Sequence, residues 1–98
     1  MDVEFGDKDL DRLEVDPHFK GRYANEIIKA FRRRIQTIRA AKDTRPFYAL
    51  KGLHFEKLEG DRDHQHSMRL NKQLRLILEL SDGDDGPIAK IVEIEDYH

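Results

Sequence analysis

The stretch "HSMRLNKQLRLILEL" (residues 66–80) carries the clearest strand pattern in this chain. Apolar and polar side chains alternate on both sides of a short polar turn, Asn71 to Gln73. Successive side chains of a β-strand point to opposite faces of the sheet, so a period of two is typical of strands with one buried face. Two such runs joined by a short turn predict an antiparallel hairpin. Arg69 and Arg75 occupy polar positions of the two runs, so we expect both on the exposed face.

Further strand patterns flank this hairpin. "HFEKLE" (residues 54–59) precedes it, separated by the turn "GDRDHQ" (residues 60–65). "IAKIVEIEDY" (residues 88–97) follows it, after a predicted loop "SDGDDGP" (residues 81–87) without apolar side chains. Val3 to Phe5 is a candidate for one more short strand. Three or more strands joined by short turns predict an antiparallel meander.

The first half of the chain has helical periodicity instead. From Arg22 to Ala41, apolar residues recur at steps of three and four, which predicts a long amphipathic helix. A shorter helix is predicted before the break at Asp16-Pro17, with Asp7 or Asp9 as its N-cap. After the long helix, Thr44 is expected to cap a short turn.

Helices followed by a meander predict an α+β domain, in which N-terminal helices pack on one face of a twisted antiparallel sheet. The length suits one domain, so we expect residues 1–98 to form a single unit. There is no cysteine, which excludes disulfides and thiolate metal sites. Apolar runs are short and no signal peptide is apparent, so the expected location is the cytoplasm, without a membrane partner.

Charge is strongly segregated along the chain, although the formal net charge is only -2. Residues 1–16 have a net charge of -5, residues 17–76 have +9, and residues 77–98 have -6. A positive middle between acidic ends suggests a surface that faces a polyanion. The alternative is that these charges only solvate the faces of helices and strands.

An ordered set of residues resembles the HigB branch of the RelE/ParE toxin superfamily. It lies in "LEGDRDHQHSMRLNKQLRLILEL" and in the C-terminal "VEIEDYH", and the similarity extends over roughly residues 50–98. The features that this set shares with the family are a leucine, a Gly-Asp-Arg turn, a serine at the head of a strand, an arginine on the next strand, and an Asp-Tyr-His tail. In this chain they are Leu58, Gly60-Asp61-Arg62, Ser67, Arg75 and Asp96-Tyr97-His98.

The resemblance implies a RelE-like fold and a toxin of a type II toxin–antitoxin system. Many HigB-type members cut mRNA on the translating ribosome, and each is neutralised by a cognate helix-turn-helix antitoxin, here a HigA-like one. Such antitoxins usually also bind DNA, so contact of the toxin with DNA is expected only through the antitoxin. ParE-like relatives inhibit DNA gyrase instead, so two alternatives stay open: a non-catalytic inhibitor of gyrase or another target, and a degenerate toxin that only binds antitoxin.

For a nuclease, the resemblance assigns chemistry to the tail. Metal-independent RNA cleavage proceeds by attack of the 2′-hydroxyl on the adjacent phosphate, and it needs a base, an acid and cations. His98 is the expected general acid, because imidazole titrates near neutral pH. Asp96 is expected to favour the protonated ring, and Tyr97 to stack on a base or to donate a hydrogen bond to phosphate. The alternative for these residues is a frayed terminus.

The remaining candidate groups come from the strand region and the long helix. Better-described HigB enzymes carry a second catalytic histidine just before the Gly-Asp-Arg turn, but here that position holds Glu56, and His54 lies two residues earlier. Glu56 is therefore the candidate base and Arg75 the candidate catalytic cation. The candidate RNA-binding cations are Lys57, Arg62, Arg69, Arg32 and Arg33. The alternative for all of them is an ordinary solvated surface.

No cofactor or metal ion is expected. His64 and His66 would lie on one side of an extended segment, which is half of the ligand set of a zinc site. Without cysteine or clearly placed partners, the metal site is the weaker interpretation.

Overall fold

A layer of helices covers one face of a β-sheet in the computed structural model, which describes residues 1–96. The elements are β1 (Asp2–Phe5), α1 (Lys8–Val15), α2 (Asn25–Ala40), α3 (Arg45–Ala49), β2 (Glu56–Lys57), β3 (His66–Arg69), β4 (Leu74–Gly83) and β5 (Gly86–Asp96). Short 3₁₀ turns at Lys51–Leu53 and Gly60–Arg62 flank β2. No helix among residues 1–96 has the length and apolar character that a membrane span requires.

The five strands are ordered β1-β5-β4-β3-β2. The strands β2 to β5 pair antiparallel as a meander, as the alternation predicts, and the α+β class is confirmed. The one departure is β1, which pairs with β5 in parallel. A parallel pair needs a long crossover between its strands, and here the helical layer and the rest of the sheet lie between β1 and β5 in the chain.

The helix boundaries differ modestly from those predicted. The Asp7 side chain accepts a hydrogen bond from the Asp9 backbone N–H at 2.7 Å, which confirms Asp7 as the N-cap of α1. The helix α2 begins at Asn25 rather than at Arg22. The side chain of Thr44 does not cap α3; the Asp43 carboxylate accepts from the Arg45 backbone N–H at 3.0 Å instead.

The core lies between the helices and the inner face of the sheet, which is the face that the helices cover. Fully buried side chains of α2 share one apolar cluster with fully buried side chains of β3, β4 and β5. Burial of one such side chain stabilises the fold by roughly 1.5–3 kcal/mol. The principal members are Phe31, Ile35, Ile38, Met68, Leu76, Leu78 and Ile91.

A β-bulge sets the orientation of the last part of β5. Ile77 pairs with Glu93 and Leu78 pairs with Ile91, so Val92 is an extra residue in the ladder. Because of this extra residue, Ile91 and Ile94 both reach the core, although three positions separate them. The glutamates that alternate with Ile94 therefore lie on the outer face.

The loop predicted at residues 81–87 is mostly strand. The strand β4 continues to Gly83 and β5 begins at Gly86, which leaves only a two-residue turn. Gly86 has φ +119°, a conformation that L side chains rarely adopt. A glycine with positive φ directly after the turn residues is a common feature of β-hairpins, and here it follows the acidic turn Asp84-Asp85.

Candidate active-site cleft

A small cleft of about 110 Å³ is lined by His54, Glu56, Ser67, Arg69 and Arg75. Strand register brings four of these residues together, because Glu56 pairs with Ser67 and Arg69 pairs with Arg75. The two arginines alternate with buried residues of β3 and β4, so they lie on the outer face, as predicted. The cleft therefore combines two guanidinium groups, a carboxylate, a hydroxyl and an imidazole.

His54 is the cleft residue that the sequence interpretation passed over. It follows the 3₁₀ turn at Lys51–Leu53 and has φ +46°, which is unusual for a residue other than glycine. Its Nε2 lies 3.1 Å from Nη1 of Arg69. Arginine can only donate, so a hydrogen bond between these atoms requires that Nε2 of His54 accepts. The signal for His54 was the second histidine that the family resemblance implies just before the Gly-Asp-Arg turn, a position that His54 precedes by two residues.

Arg75 is held by a carboxylate that was not predicted as part of the site. Glu95 lies directly opposite Arg75 in the β4–β5 pair, and its Oε2 is 2.8 Å from Nε and 2.6 Å from Nη2 of Arg75. The other carboxylate oxygen accepts from Nη1 of Arg62 at 2.8 Å. Burial opposes ionisation of Glu95, but the hydrogen bonds from Arg75 and Arg62 prevail and lower its pKa.

Arg62 belongs to a segment, residues 58–65, that folds over the outer face of the sheet. The backbone N–H of Leu58 donates to the carbonyl oxygen of Gln65, and Gly60 has φ +66°, which the sharp turn requires. Arg62 reaches across to β5, so this segment encloses Ile77, which is fully buried on the outer face. Arg62, predicted to bind RNA, thus fastens this segment to β5.

The three consecutive arginines of α2 have three different environments. The side chain of Arg32 donates to the backbone carbonyl oxygens of Leu13 at 2.8 Å and Asp16 at 3.1 Å, at the end of α1. Arg32, predicted to bind RNA, is therefore engaged by main-chain carbonyls at the end of α1, and the carbonyl of Asp16 also accepts from the backbone N–H of Phe19. Arg33 is exposed, as expected. Arg34 donates to the carbonyl oxygen of Arg69 at 2.9 Å and joins α2 to β3.

Of the Asp96-Tyr97-His98 tail, Asp96 lies among the described residues. Asp96 pairs with Leu74, and its carboxylate accepts from Nε2 of Gln73 at 2.8 Å. The carboxylate beside Arg75 is thus Glu95, one residue earlier in the chain. Tyr97 and His98 lie outside the described residues, so their catalytic role stays a prediction.

Lys57 and the two nearby histidines have separate surroundings. Lys57 is exposed on β2. Burial and, to a smaller degree, the charge of Lys57 lower the pKa of His66, whose ring stacks on Phe55 at 5.0 Å between centroids. His64 instead approaches Glu79 at 3.7 Å. The two imidazoles thus contact different partners, and no cluster of three or more metal-ligating side chains occurs within residues 1–96.

Comparison with known proteins identifies the family. The model of the RelE-like toxin of the type II toxin–antitoxin system HigB matches residues 3–98 of this chain. The chain belongs to the HigB-like toxin family. This HigB-like toxin is 34% identical over 83 residues to Toxin HigB-1 of Vibrio cholerae serotype O1 (strain ATCC 39315 / El Tor Inaba N16961), and the match covers 85% of this chain and 87% of that toxin. The resemblance inferred from its sequence is confirmed.

Solved structures share the fold of this HigB-like toxin. The YoeB/ParE toxin from Agrobacterium tumefaciens has a TM-score of 0.69 at 17% identity, with 100% of both chains covered. The YoeB-YefM complex from Staphylococcus aureus has a TM-score of 0.57 at 17% identity, with 100% of this chain and 97% of that chain covered. Identities this low establish the fold and not the activity.

Proposed function

We propose that this HigB-like toxin is a metal-independent endoribonuclease that cleaves mRNA on the ribosome in the cytoplasm. The observation that carries the proposal is the cleft in which Arg69 and Arg75 face Glu56 on the outer side of the sheet. Two cations and a carboxylate that line a cleft of about 110 Å³ suit a single phosphate group and the 2′-hydroxyl beside it.

The proposed reaction divides the work among these groups. A base removes the proton of the 2′-hydroxyl, whose oxygen attacks phosphorus. The bond from phosphorus to the 5′-oxygen breaks, and a general acid protonates that oxygen as it leaves. The products are a 2′,3′-cyclic phosphate and a 5′-hydroxyl. Arg69 and Arg75 stabilise the negative charge that grows on the phosphate oxygens.

Glu56 is the proposed base. Its side chain is exposed at the cleft and has no hydrogen-bond or ion-pair partner within residues 1–96. His54 can act as a base only after its Nε2 exchanges Arg69 for the substrate hydroxyl. We therefore assign Glu56 to proton removal and His54 to positioning of Arg69.

The proposed general acid is His98, with Asp96 and Tyr97 as its neighbours in the tail. The strand β5 carries the chain to Asp96, one residue beyond the partner of Arg75. Imidazole is suited to donate a proton near neutral pH.

The proposed partner is a cognate helix-turn-helix antitoxin of the HigA type. Membership of a toxin–antitoxin family supports an antitoxin partner, and the Staphylococcus aureus relative forms the YoeB-YefM complex. Contact with DNA would then occur only through the antitoxin. No membrane partner is proposed.

The experiment is induced expression of the toxin, followed by mapping of mRNA 5′ ends, for the wild type and for His98→Ala. We expect cuts inside translated reading frames, growth arrest that the antitoxin relieves, and a loss of cleavage on the order of 10²-fold or more in the variant. Growth arrest with intact mRNA and altered DNA supercoiling would reject the nuclease in favour of a gyrase inhibitor. Absence of any arrest would indicate a degenerate toxin that only binds antitoxin.

A further inference from the structure

Glu95 joins two arginines that the sequence interpretation treated as separate groups. It accepts from Arg75 with one carboxylate oxygen and from Arg62 with the other. We infer that Glu95 is a positioning residue of the cleft: it orients the Arg75 guanidinium for the reacting phosphate and weakens the binding of RNA by partly neutralising that cation. This inference rests on the proposed nuclease function.

The geometry favours a rigid contact. Glu95 lies opposite Arg75 across the β4–β5 pair, and the side chains of Arg75 and Glu95 are only 19% and 22% exposed. The bulge at Val92 decides this placement, because unbroken alternation along β5 from Ile91 would turn the Glu95 side chain to the inner face. A partly desolvated arginine–carboxylate pair is shorter and stronger than a pair at the open surface.

Glu95 is in turn fixed from the side away from the cleft. Arg62, which does not line the cleft, donates to Glu95 at 2.8 Å and to Oε1 of Gln65 at 3.0 Å. Gln65 donates to Glu79 on β4 at 3.1 Å. The order of support is therefore clear: Arg62 holds Glu95, and Glu95 holds Arg75.

Two opposite effects on the reaction follow. A guanidinium held in place before the reaction stabilises charge in the transition state without having to reorganise. The same carboxylate contributes a negative charge beside the phosphate site and therefore weakens binding of the substrate. Removal of the charge should thus tighten RNA binding and slow the chemical step, a combination that a purely structural role would not produce.

The test compares Glu95→Gln with a matched control on the same strand, Glu93→Gln. Glu93 also lies on the outer face, but it is 53% exposed, and its one charged neighbour among residues 1–96 is Arg62, at 3.9 Å. Two quantities are measured on the full chain: single-turnover cleavage of ribosome-bound mRNA, and the dissociation constant for a short single-stranded RNA oligonucleotide. Thermal unfolding is followed for every variant.

For Glu95→Gln we expect a rate constant lower by on the order of tenfold or more. We also expect RNA binding tighter by about fivefold, the size of one nearby surface charge. Glu93→Gln should leave the cleavage rate constant and the dissociation constant for RNA within about twofold of the wild-type values, since a long contact of an exposed side chain contributes little. The tighter binding should vanish when Glu95→Gln is combined with Arg75→Ala.

The outcomes separate this inference from the proposed function. If the wild type does not cleave RNA but Glu95→Gln tightens binding through Arg75, the nuclease proposal fails and the role of Glu95 in positioning Arg75 is supported. If the wild type cleaves and Glu95→Gln behaves like Glu93→Gln, the inference is overturned. A fall in melting temperature that accounts for all lost cleavage, with unchanged binding, overturns it as well.

Discussion

The arginines of α2 and those of the sheet look alike in the sequence, but they have different partners. Arg32 and Arg34 donate to main-chain carbonyl oxygens, at the end of α1 and on β3. Arg69 and Arg75 line the cleft, where their guanidinium groups contact a histidine and a glutamate side chain. Arg69 also donates from Nε to the backbone carbonyl oxygen of Asn71 at 3.0 Å, in the turn of its own hairpin. Both groups occupy polar positions of amphipathic elements.

The nature of the partner decides what each arginine can do. A main-chain carbonyl belongs to the fold itself, so an arginine bound to it holds elements together. A side-chain partner can exchange its place with a phosphate, to which the arginine fork is well matched. Arg32 and Arg34 therefore serve stability, whereas Arg75 and the His54-facing nitrogen of Arg69 suit recognition of RNA.

The largest effect should come from the sheet. Arg75→Ala is expected to lower mRNA cleavage by on the order of 10²–10³-fold, the usual loss when one charge-stabilising group is removed. Thermal stability should change little, because Glu95 keeps its bond to Arg62. Primer-extension cleavage assays and circular-dichroism melting of the purified chain measure the two effects. Full activity would place Arg75 among the structural arginines.

The next largest effect should come from the helix layer. Arg32→Ala is expected to lower the free energy of unfolding by about 1–3 kcal/mol, because carbonyls at the end of α1 lose a charged donor. Cleavage per folded molecule should stay at the wild-type level. Urea denaturation provides the stability, with the exposed neighbour variant Arg33→Ala as control. If Arg32→Ala had normal stability but lost cleavage, Arg32 would act in the reaction as the sheet arginines do, and its assignment to stability would be wrong.

Acid should weaken the stabilising contact of Glu95 with Arg75 and should leave the contacts of Arg32 unchanged. The folded-state pKa of Glu95 is below its usual value of 4.5, so its contribution to stability is complete above that pH and is lost as the pH falls through the lowered pKa. The stability difference between wild type and Glu95→Gln should therefore shrink below about pH 4.5, whereas the Arg32→Ala difference should persist, because carbonyl oxygens do not titrate. Urea denaturation at several pH values above and below 4.5 measures both stability differences. If the Glu95→Gln difference did not change with pH, the prediction would be contradicted.

The smallest effect is expected at Arg33, which is exposed on α2. If it contributes one phosphate contact, Arg33→Ala should reduce the slope of log affinity against log salt by about 0.7. Affinity for single-stranded RNA should fall by less than about threefold at physiological salt. Titrations at several salt concentrations measure both. If Arg33→Ala lowered the affinity for RNA more than Arg75→Ala does, the helix and not the sheet would provide the stronger RNA contact.

Local patterns predicted much of the fold. Alternation in residues 66–80 predicted the β3–β4 hairpin, and it placed Arg69 and Arg75 on the same face because only a short turn separates them. The apolar period of α2 and the N-cap at Asp7 were also predictable, since both depend on residues within one or two turns of helix. These features are set by side chains close together in the chain.

Other features depended on contacts between distant segments. The parallel pairing of β1 with β5 needs the whole intervening chain to be folded. His54 lies at the cleft because its backbone has a left-handed conformation, which the identity of the residue does not predict. Arg32 meets the end of α1 only once the two helices have packed.

The sequence by itself determined the α+β class, the long amphipathic helix and the placement of Arg69 and Arg75 on the outer face of the central hairpin, because periodicity is a local property. Only the tertiary structure decided which carboxylate meets Arg75. An unbroken period of two along β5 would send Ile91 and Ile94 to opposite faces of the sheet. The helical layer buries both, so the strand bulges at Val92 and turns Glu95 toward Arg75. The free energy of packing the core, and not the local preference of the tail, therefore sets the charge at the cleft.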